Sequence, residues 1–314
     1  MSLHLVTGGA GFIGSHIAAR LLRDGDRVRV LDNLATGRRE NLVPLREAGD
    51  RFEWLEGDIR DLDTCRRACQ GVEYVFHQAA LASVPRSIER PADSALVNVS
   101  GTVNVLAAAR EAGVRRVVSA SSSSVYGDTP TLPKHEEMPP APLSPYAASK
   151  LAAEQFARVF SITMGLPTVS LRYFNVFGPR QDPNSQYAAV IPRFIQALLE
   201  GKRPVVYGDG HQSRDFTYID NVVEANLCAA HSSNGSGEAV NIACGDRFSL
   251  LTLLDELGRI IGRTPDPEFL PARVGDVLHS QASIEKARQL LGFRPGTGFE
   301  EGLRRTVEHY RGAG

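Results

Sequence analysis

Apolar residues in this chain fall into short runs that end at Gly, Asp, Ser or His, and the stretches between the runs carry their apolar residues at helical spacing. The first run, Leu3–Val6, leads through Thr7-Gly8-Gly9-Ala10-Gly11-Phe12-Ile13-Gly14 into Ser15–Arg20, which reads as a strand, a tight turn and a helix. Val28–Leu31, Arg51–Glu56, Glu73–His77 and Arg116–Ser119 read as four further strands. Between them the pattern predicts a helix over 62–69, with Asp61 as its cap, and a long helix over about 92–112 ended by Gly113. Strands alternating with helices predict an α/β fold, a Rossmann doubly wound parallel sheet with helices on both faces.

Size and charge narrow the possibilities. With 314 residues the chain can bury a substantial core, as one large domain or one and a half. A net charge of -1 argues against nucleic-acid and membrane-surface partners. There is no run of about 18 apolar residues and no basic leader with a cleavage site, which predicts a cytoplasmic protein without membrane anchorage. Cys65, Cys69, Cys228 and Cys244 lack metal-ligand pairing, and Cys65 and Cys69, one helical turn apart, read as small buried residues.

The glycine turn carries the first chemistry. Gly9, Gly11 and Gly14 fit the dinucleotide spacing, while Gly8, Gly11 and Gly14 fit the looser spacing of short-chain dehydrogenases. One glycine permits the turn, one lets a pyrophosphate approach the backbone, and one packs helix on strand; the phosphates then sit at a helix N-terminus. Asp32 closes the second strand 18 residues beyond Gly14, where an acid accepts from a ribose 2′-hydroxyl and repels a 2′-phosphate. This favours NAD over NADP. Arg38 and Arg39 follow and read as a solvated loop rather than a 2′-phosphate site. Asp58 and Ile59, at the end of strand three, fall either beside an adenine ring or in a simple turn. Gln78, Ala79, Ala80 and Ala82 are small enough, or placed well enough, for close approach of a cofactor, whereas His77 and His16 read as packing residues.

Four consecutive serines, Ser121–Ser124, open from the crevice end of strand five, and Tyr146 and Lys150 stand four apart at the start of a later helix, on one face. A free tyrosine titrates near ~10, too high for a base at neutral pH. The Lys150 ammonium and an oxidised nicotinamide ring would both favour the phenolate.

With the glycine turn, Asp32, the serine loop and Tyr146-x-x-x-Lys150 in this order, the chain resembles the extended short-chain dehydrogenase/reductase family, and within it the nucleotide-sugar 4-epimerases, over almost its whole length. The resemblance implies a Ser-Tyr-Lys set of Ser122, Tyr146 and Lys150, with Ser123 and Ser124 beside the sugar. It extends the NAD site to Phe12, Ile13, Asn33, Thr36, Gly37, Asn98 and Tyr173. Ser170–Pro179 resembles the strand and turn that lead into the substrate lobe, with Asn175 near a diphosphate, and a helix over about 188–200 includes Val190. Pro204–Gly210, with Tyr207, resembles a uridine-binding segment, and Arg214 and Arg273 match the arginines on the two phosphates. Ser83, Asp276 and Ser280 complete the implied UDP-sugar site, Ser280 as a gate on the sugar 2-substituent.

The implied reaction is C4 epimerisation through a 4-keto sugar, with NAD+ regenerated in place. Related 4,6-dehydratases carry an Asp-Glu pair where Ser123 and Ser124 stand, and decarboxylating relatives a glutamate at Ser124, so both are disfavoured. Simple net oxidation or reduction with cofactor exchange stays open, because the same Ser-Tyr-Lys set serves it, whereas a silent NAD sensor would be expected to lose Tyr146 or Lys150, and the chain keeps both. A small gate and the 276–282 segment point to UDP-GlcNAc/UDP-GalNAc, with UDP-Glc/UDP-Gal also accepted and a hexuronate less favoured. The expected division is an NAD-binding domain over 1–175, joined by later segments, and a mainly UDP-sugar-binding lobe over 176–314. The resemblance also implies a homodimer through the helices after Asp93 and Tyr146.

Overall fold

The computed structural model describes residues 1–182, 189–272 and 278–312. Its centre is a seven-stranded parallel sheet. Six strands come from residues 1–173: β1 (Leu3–Thr7), β2 (Arg27–Asp32), β3 (Phe52–Glu56), β4 (Tyr74–His77), β5 (Arg116–Ser122) and β6 (Thr168–Tyr173). The seventh, Glu238–Ile242, returns from far along the chain to pair with β6. Across the sheet the order is Glu238–Ile242, β6, β5, β4, β1, β2, β3. The winding therefore reverses between β1 and β4, where Thr7 lies opposite His77. In such sheets ligands bind in the crevice at that reversal, outside the carboxyl ends of the strands.

Burial explains why the runs read as strands. All six residues of β6 are buried, as expected of a strand covered on both faces. Neighbouring residues feed opposite layers: Val6, Phe76 and Val118 belong to one apolar core, and Leu5, Val75 and Val117 to the other. The first helix, α1 (Phe12–Arg23), packs against Ile219–His231 in the former layer. The second, α2 (Leu62–Cys69), is capped as expected, Asp61 accepting from the N–H groups of Asp63 and Thr64. Cys65 and Cys69 are buried free thiols whose ionisation burial pushes up to about 12.

One expected element differs. In place of an unbroken helix over 92–112 there is a turn of helix at Pro91–Ala95, a widened π turn at Leu96–Gly101, and a regular helix at Thr102–Glu111. The Thr102 hydroxyl donates to the Asn98 carbonyl at 2.6 Å, and the Asn98 side chain is held by Leu81 and Ser149. These bonds occupy groups around which a regular helix would tighten, and the turn opens. A short helix at Val84–Glu89 also has no counterpart in the periodicity.

Apart from Glu238–Ile242, the strands beyond β6 are of two or three residues. Val176–Phe177 pairs with Thr217–Tyr218, Val205–Tyr207 with Glu268–Leu270, and Ser213–Arg214 with Phe248–Ser249. Helices Val190–Leu199, Leu250–Ile261 and Phe299–Gly312 pack around them. Among the described residues no helix is long and apolar enough to cross a membrane.

Candidate active site

The turn after β1 is held by main-chain bonds. Gly8, at φ +70°, donates to Leu31 O, and Gly11 donates to Gly8 O. A Cβ on Gly14 would stand 2.2 Å from Gly8 O, so the third glycine is needed for α1 to close on the turn. Asp32 ends β2 beside it. Its Oδ2 accepts from Ala10 N–H at 2.9 Å and its Oδ1 from Leu34 N–H at 2.7 Å, while burial pushes its pKa above the ordinary value. Gly37 closes over this carboxylate, since a Cβ there would lie 2.9 Å from Oδ1.

One cleft runs from this turn across the switch point. Phe12, Ile13, Asn33, Thr36, Asp58 and Ile59 line one end, Gln78, Ala79, Ala80 and Ala82 the middle, and Tyr146, Lys150 and Tyr173 the other end. A glycine cradle beside a strand-end acid, opening on small residues, fits a dinucleotide. Asp58 is held ionised, at about 2, chiefly by the Arg60 guanidinium, and it also accepts from Asn33 Nδ2 at 2.7 Å. Asn98 stands behind this wall rather than on it. It accepts from Leu81 N–H at 2.8 Å and donates to Ser149 Oγ at 2.9 Å. His77 is buried as expected and hydrogen-bonded at both ring nitrogens, to the hydroxyls of Thr7 and Thr102. Burial pushes its pKa down to about 3, so it is neutral.

At the far end β5 runs on past its expected limit to Ser122. The helix Pro145–Met164 starts opposite, with Ser144 accepting from Ala147 N–H as its cap. Tyr146 faces Ser122; burial pushes its ionisation up and the Ser122 hydroxyl beside it pulls it down. Lys150, one turn on, is pushed down to about 8 by burial, opposed by Glu154. The protein by itself therefore keeps Tyr146 as the phenol. Ser122 Oγ also accepts from Ser124, through both its N–H and its hydroxyl, so Ser124 braces Ser122 while Ser123 opens the short turn that follows.

A second cleft begins two residues beyond Tyr173. Asn175, Val190, Tyr207 and Arg214 line it, with Arg193, Gln212 and Phe216, which sequence reasoning had not singled out. Asn175, at φ +32°, donates to Asp215 O and, at 3.4 Å, to Ser280 Oγ. Ser280 is fixed by its own N–H on Ser213 O. Arg214 donates to the carbonyls of Ser213 and Leu278. Asp215, fully buried, accepts from the N–H groups of Cys244, Gly245 and Ala282, drawing two distant segments onto its own. Ser83 accepts from Arg86 N–H and caps the helix Val84–Glu89. Arg273 and Asp276 lie outside the described residues.

A fold with its switch point at a glycine cradle, and Ser121, Tyr146 and Lys150 lining the other end of the same cleft, defines a dinucleotide-dependent enzyme. The model of the NAD dependent epimerase/dehydratase family matches residues 4–243, and the chain belongs to that family. It is 42% identical over 309 residues to the UDP-glucose 4-epimerase of Mycolicibacterium smegmatis, covering 98% of each. The UDP-N-acetylglucosamine 4-epimerase of Methanobrevibacter ruminantium, solved with UDP-N-acetylmuramic acid, superposes with a TM-score of 0.95 at 39% identity, over 100% of this chain and 99% of that one. The Thermus thermophilus UDP-glucose 4-epimerase, solved with NAD, gives 0.89 at 40%, over 99% and 100%.

Proposed function

We propose that this chain inverts C4 of a UDP-sugar, taking UDP-GlcNAc/UDP-GalNAc and also UDP-Glc/UDP-Gal. The observation that carries the reading is the placement of Tyr146 and, one turn on, Lys150 at the end of the dinucleotide cleft nearest in sequence to the second cleft, with the Ser122 hydroxyl beside Tyr146. Bound NAD supplies a hydride acceptor that becomes the donor within the same turnover. Tyr146 takes the proton of the 4-hydroxyl, Ser122 holds that oxygen, and Lys150 contributes positive charge that favours the phenolate. Arg214 and Asn175 hold the diphosphate by charge and hydrogen bonds, leaving the 4-keto sugar free to turn its other face. Ser123 and Ser124 provide no carboxylate for elimination, which supports epimerisation over dehydration.

Residues 1–175 hold NAD in this reading, and 176–314 mainly the UDP-sugar. Ser280, bonded to Asn175, is the gate, and a small hydroxyl there admits an N-acetyl group. An under-filled pocket rejects the smaller sugar by only about 1–3 kcal/mol, so both classes turn over. Exposed Phe156, Val159 and Ile162 on the catalytic helix and Leu96 near the π turn support a homodimer through these helices. A cytoplasmic setting, where NAD and UDP-sugars are both at hand, goes with this reading.

The test incubates purified protein with UDP-GlcNAc and UDP-Glc separately and resolves products by proton NMR. The C4 epimers are expected without net NADH. A 4-keto-6-deoxy sugar, stoichiometric NADH, or no turnover of either substrate would overturn the reading.

A further inference from the structure

Behind the catalytic pair lies an acid that the mechanism above leaves without a task. Glu154 follows Lys150 by one turn on the helix Pro145–Met164, and its side chain is only 3% exposed. Its Oε1 accepts from Ser121 Oγ at 2.5 Å and from Arg172 Nε at 2.9 Å; its Oε2 accepts from Arg172 Nη2 at 2.8 Å. The remaining arm of Arg172, Nη1, donates to Tyr126 Oη at 2.9 Å, and that hydroxyl donates to Asn241 Oδ1 at 2.7 Å. Thus one carboxylate joins three elements: β5 one residue before Ser122, β6, and the helix that carries Tyr146 and Lys150.

A buried ion pair is a weak source of stability, because removing both charges from water offsets most of their attraction. Apolar residues of the same volume would serve a purely structural end. We propose that Glu154 is a positioning residue of the active site, anchoring the serine loop through Ser121 and holding a carboxylate behind the buried Lys150. The proposal rests on the epimerase reading.

The charges around Lys150 give the sign of the effect. On its own helix it has Tyr146 and Glu154; from β4 comes His77, which is neutral; from β6 comes Arg172, bound to Glu154; from β5 come the uncharged Ser121 and Ser122. Burial disfavours the ammonium and Glu154 opposes it. Without the Glu154 charge, Lys150 loses its proton at lower pH, and Tyr146, with less positive charge nearby, forms its phenolate at higher pH.

The experiment compares wild type, Glu154→Gln, Glu154→Asp and Ser121→Ala as NAD-loaded enzymes. Two quantities are read: pH profiles of kcat and KM, and the ultraviolet phenolate titration of Tyr146, with Tyr146→Phe as the blank. Glu154→Gln is expected to lower kcat roughly tenfold or more at neutral pH, to leave KM within about twofold, and to move the high-pH limb of kcat to lower pH. Ser121→Ala and Glu154→Asp, which keep the charge but disturb the anchor, are expected to lower kcat and leave the limb in place. A limb that stays put in Glu154→Gln, or a loss confined to KM, overturns the proposal. Should Glu154→Gln not fold, unchanged kcat in both Ser121→Ala and Glu154→Asp overturns it instead, and reduced kcat with an unmoved limb in both upholds it. The phenolate titration needs no turnover. If wild type epimerises neither sugar, the epimerase reading falls, while a Tyr146 titration raised in Glu154→Gln still upholds the role of Glu154 and an unmoved one removes it.

Discussion

The two clefts approach one another at the end of β6, yet they are built differently. The dinucleotide cleft takes its glycine cradle from 8–14 and its acid from Asp32, and the bonds that shape these are largely local or run to the next strand. The second cleft is assembled from Asn175, Val190, Tyr207, Arg214 and Leu250, with Ser280 bonded at its edge. Its ties are long-range, such as Asp215 to Cys244 and Ala282. A cleft of the first kind is a property of a short motif. One of the second kind depends on the whole fold, and small changes in distant segments can retune it while the cofactor site stays fixed.

The largest expected effect lies where the clefts meet. Tyr146→Phe should lower kcat by about 10²–10⁴ while UDP binding, measured calorimetrically, is retained; a loss expressed in KM alone would separate Tyr146 from the chemistry. Next comes the second cleft. Arg214→Met should weaken UDP binding by about 1.5–3 kcal/mol, the range for a hydrogen bond to a charged group, with the amount of co-purifying NAD unchanged. Loss of NAD in that variant would show that the two clefts do not behave as separate units.

On the dinucleotide side, Gly14→Ala forces a methyl onto Gly8 O. Overpacking of this kind destabilises by about 1–3 kcal/mol, so a lower Tm and loss of NAD are expected, with UDP still bound by the folded fraction. The smallest effect concerns pH. His77 has its pKa lowered to about 3 in the folded protein, so the unfolded chain binds the extra proton first and stability falls as pH drops through its ordinary value of 6.5. Between pH 7 and 6 this amounts to on the order of 1 kcal/mol. Asp215, pushed up to about 6 by burial, acts with opposite sign: its contribution is present below its ordinary value of 3.8 and is lost as pH rises to about 6. The difference between wild type and His77→Gln in urea melts at several pH values isolates the histidine, and equal acid sensitivity in the two would contradict its neutral burial.

What could be read in the chain follows from this division. The strands β1 to β5, the cap at Asp61, the glycine cradle, Asp32 and the Tyr146/Lys150 pair are matters of period and spacing, and periods of two and 3.6 survive in one dimension. Glu154 had a weak signal: it repeats the four-residue step from Lys150, and Arg172 is the one charge in an otherwise uncharged strand. Neither fact named the other as its partner. The opening of the helix around Asn98 went unread, because it arises from hydrogen bonds to Leu81 and Ser149, which periodicity does not register.

The sequence by itself determined the strand–helix alternation, the dinucleotide turn and the four-residue spacing of Tyr146 and Lys150, because each is set by neighbours within a few residues or by a regular repeat. Only the tertiary structure decided that Glu238–Ile242 completes the sheet, that Asp215 gathers two distant segments, and that Ser121, Glu154, Arg172 and Tyr126 form one buried chain behind Lys150. Those are pairings between residues far apart along the chain. Buried polar groups must find partners wherever the fold brings them, and that choice is made in space.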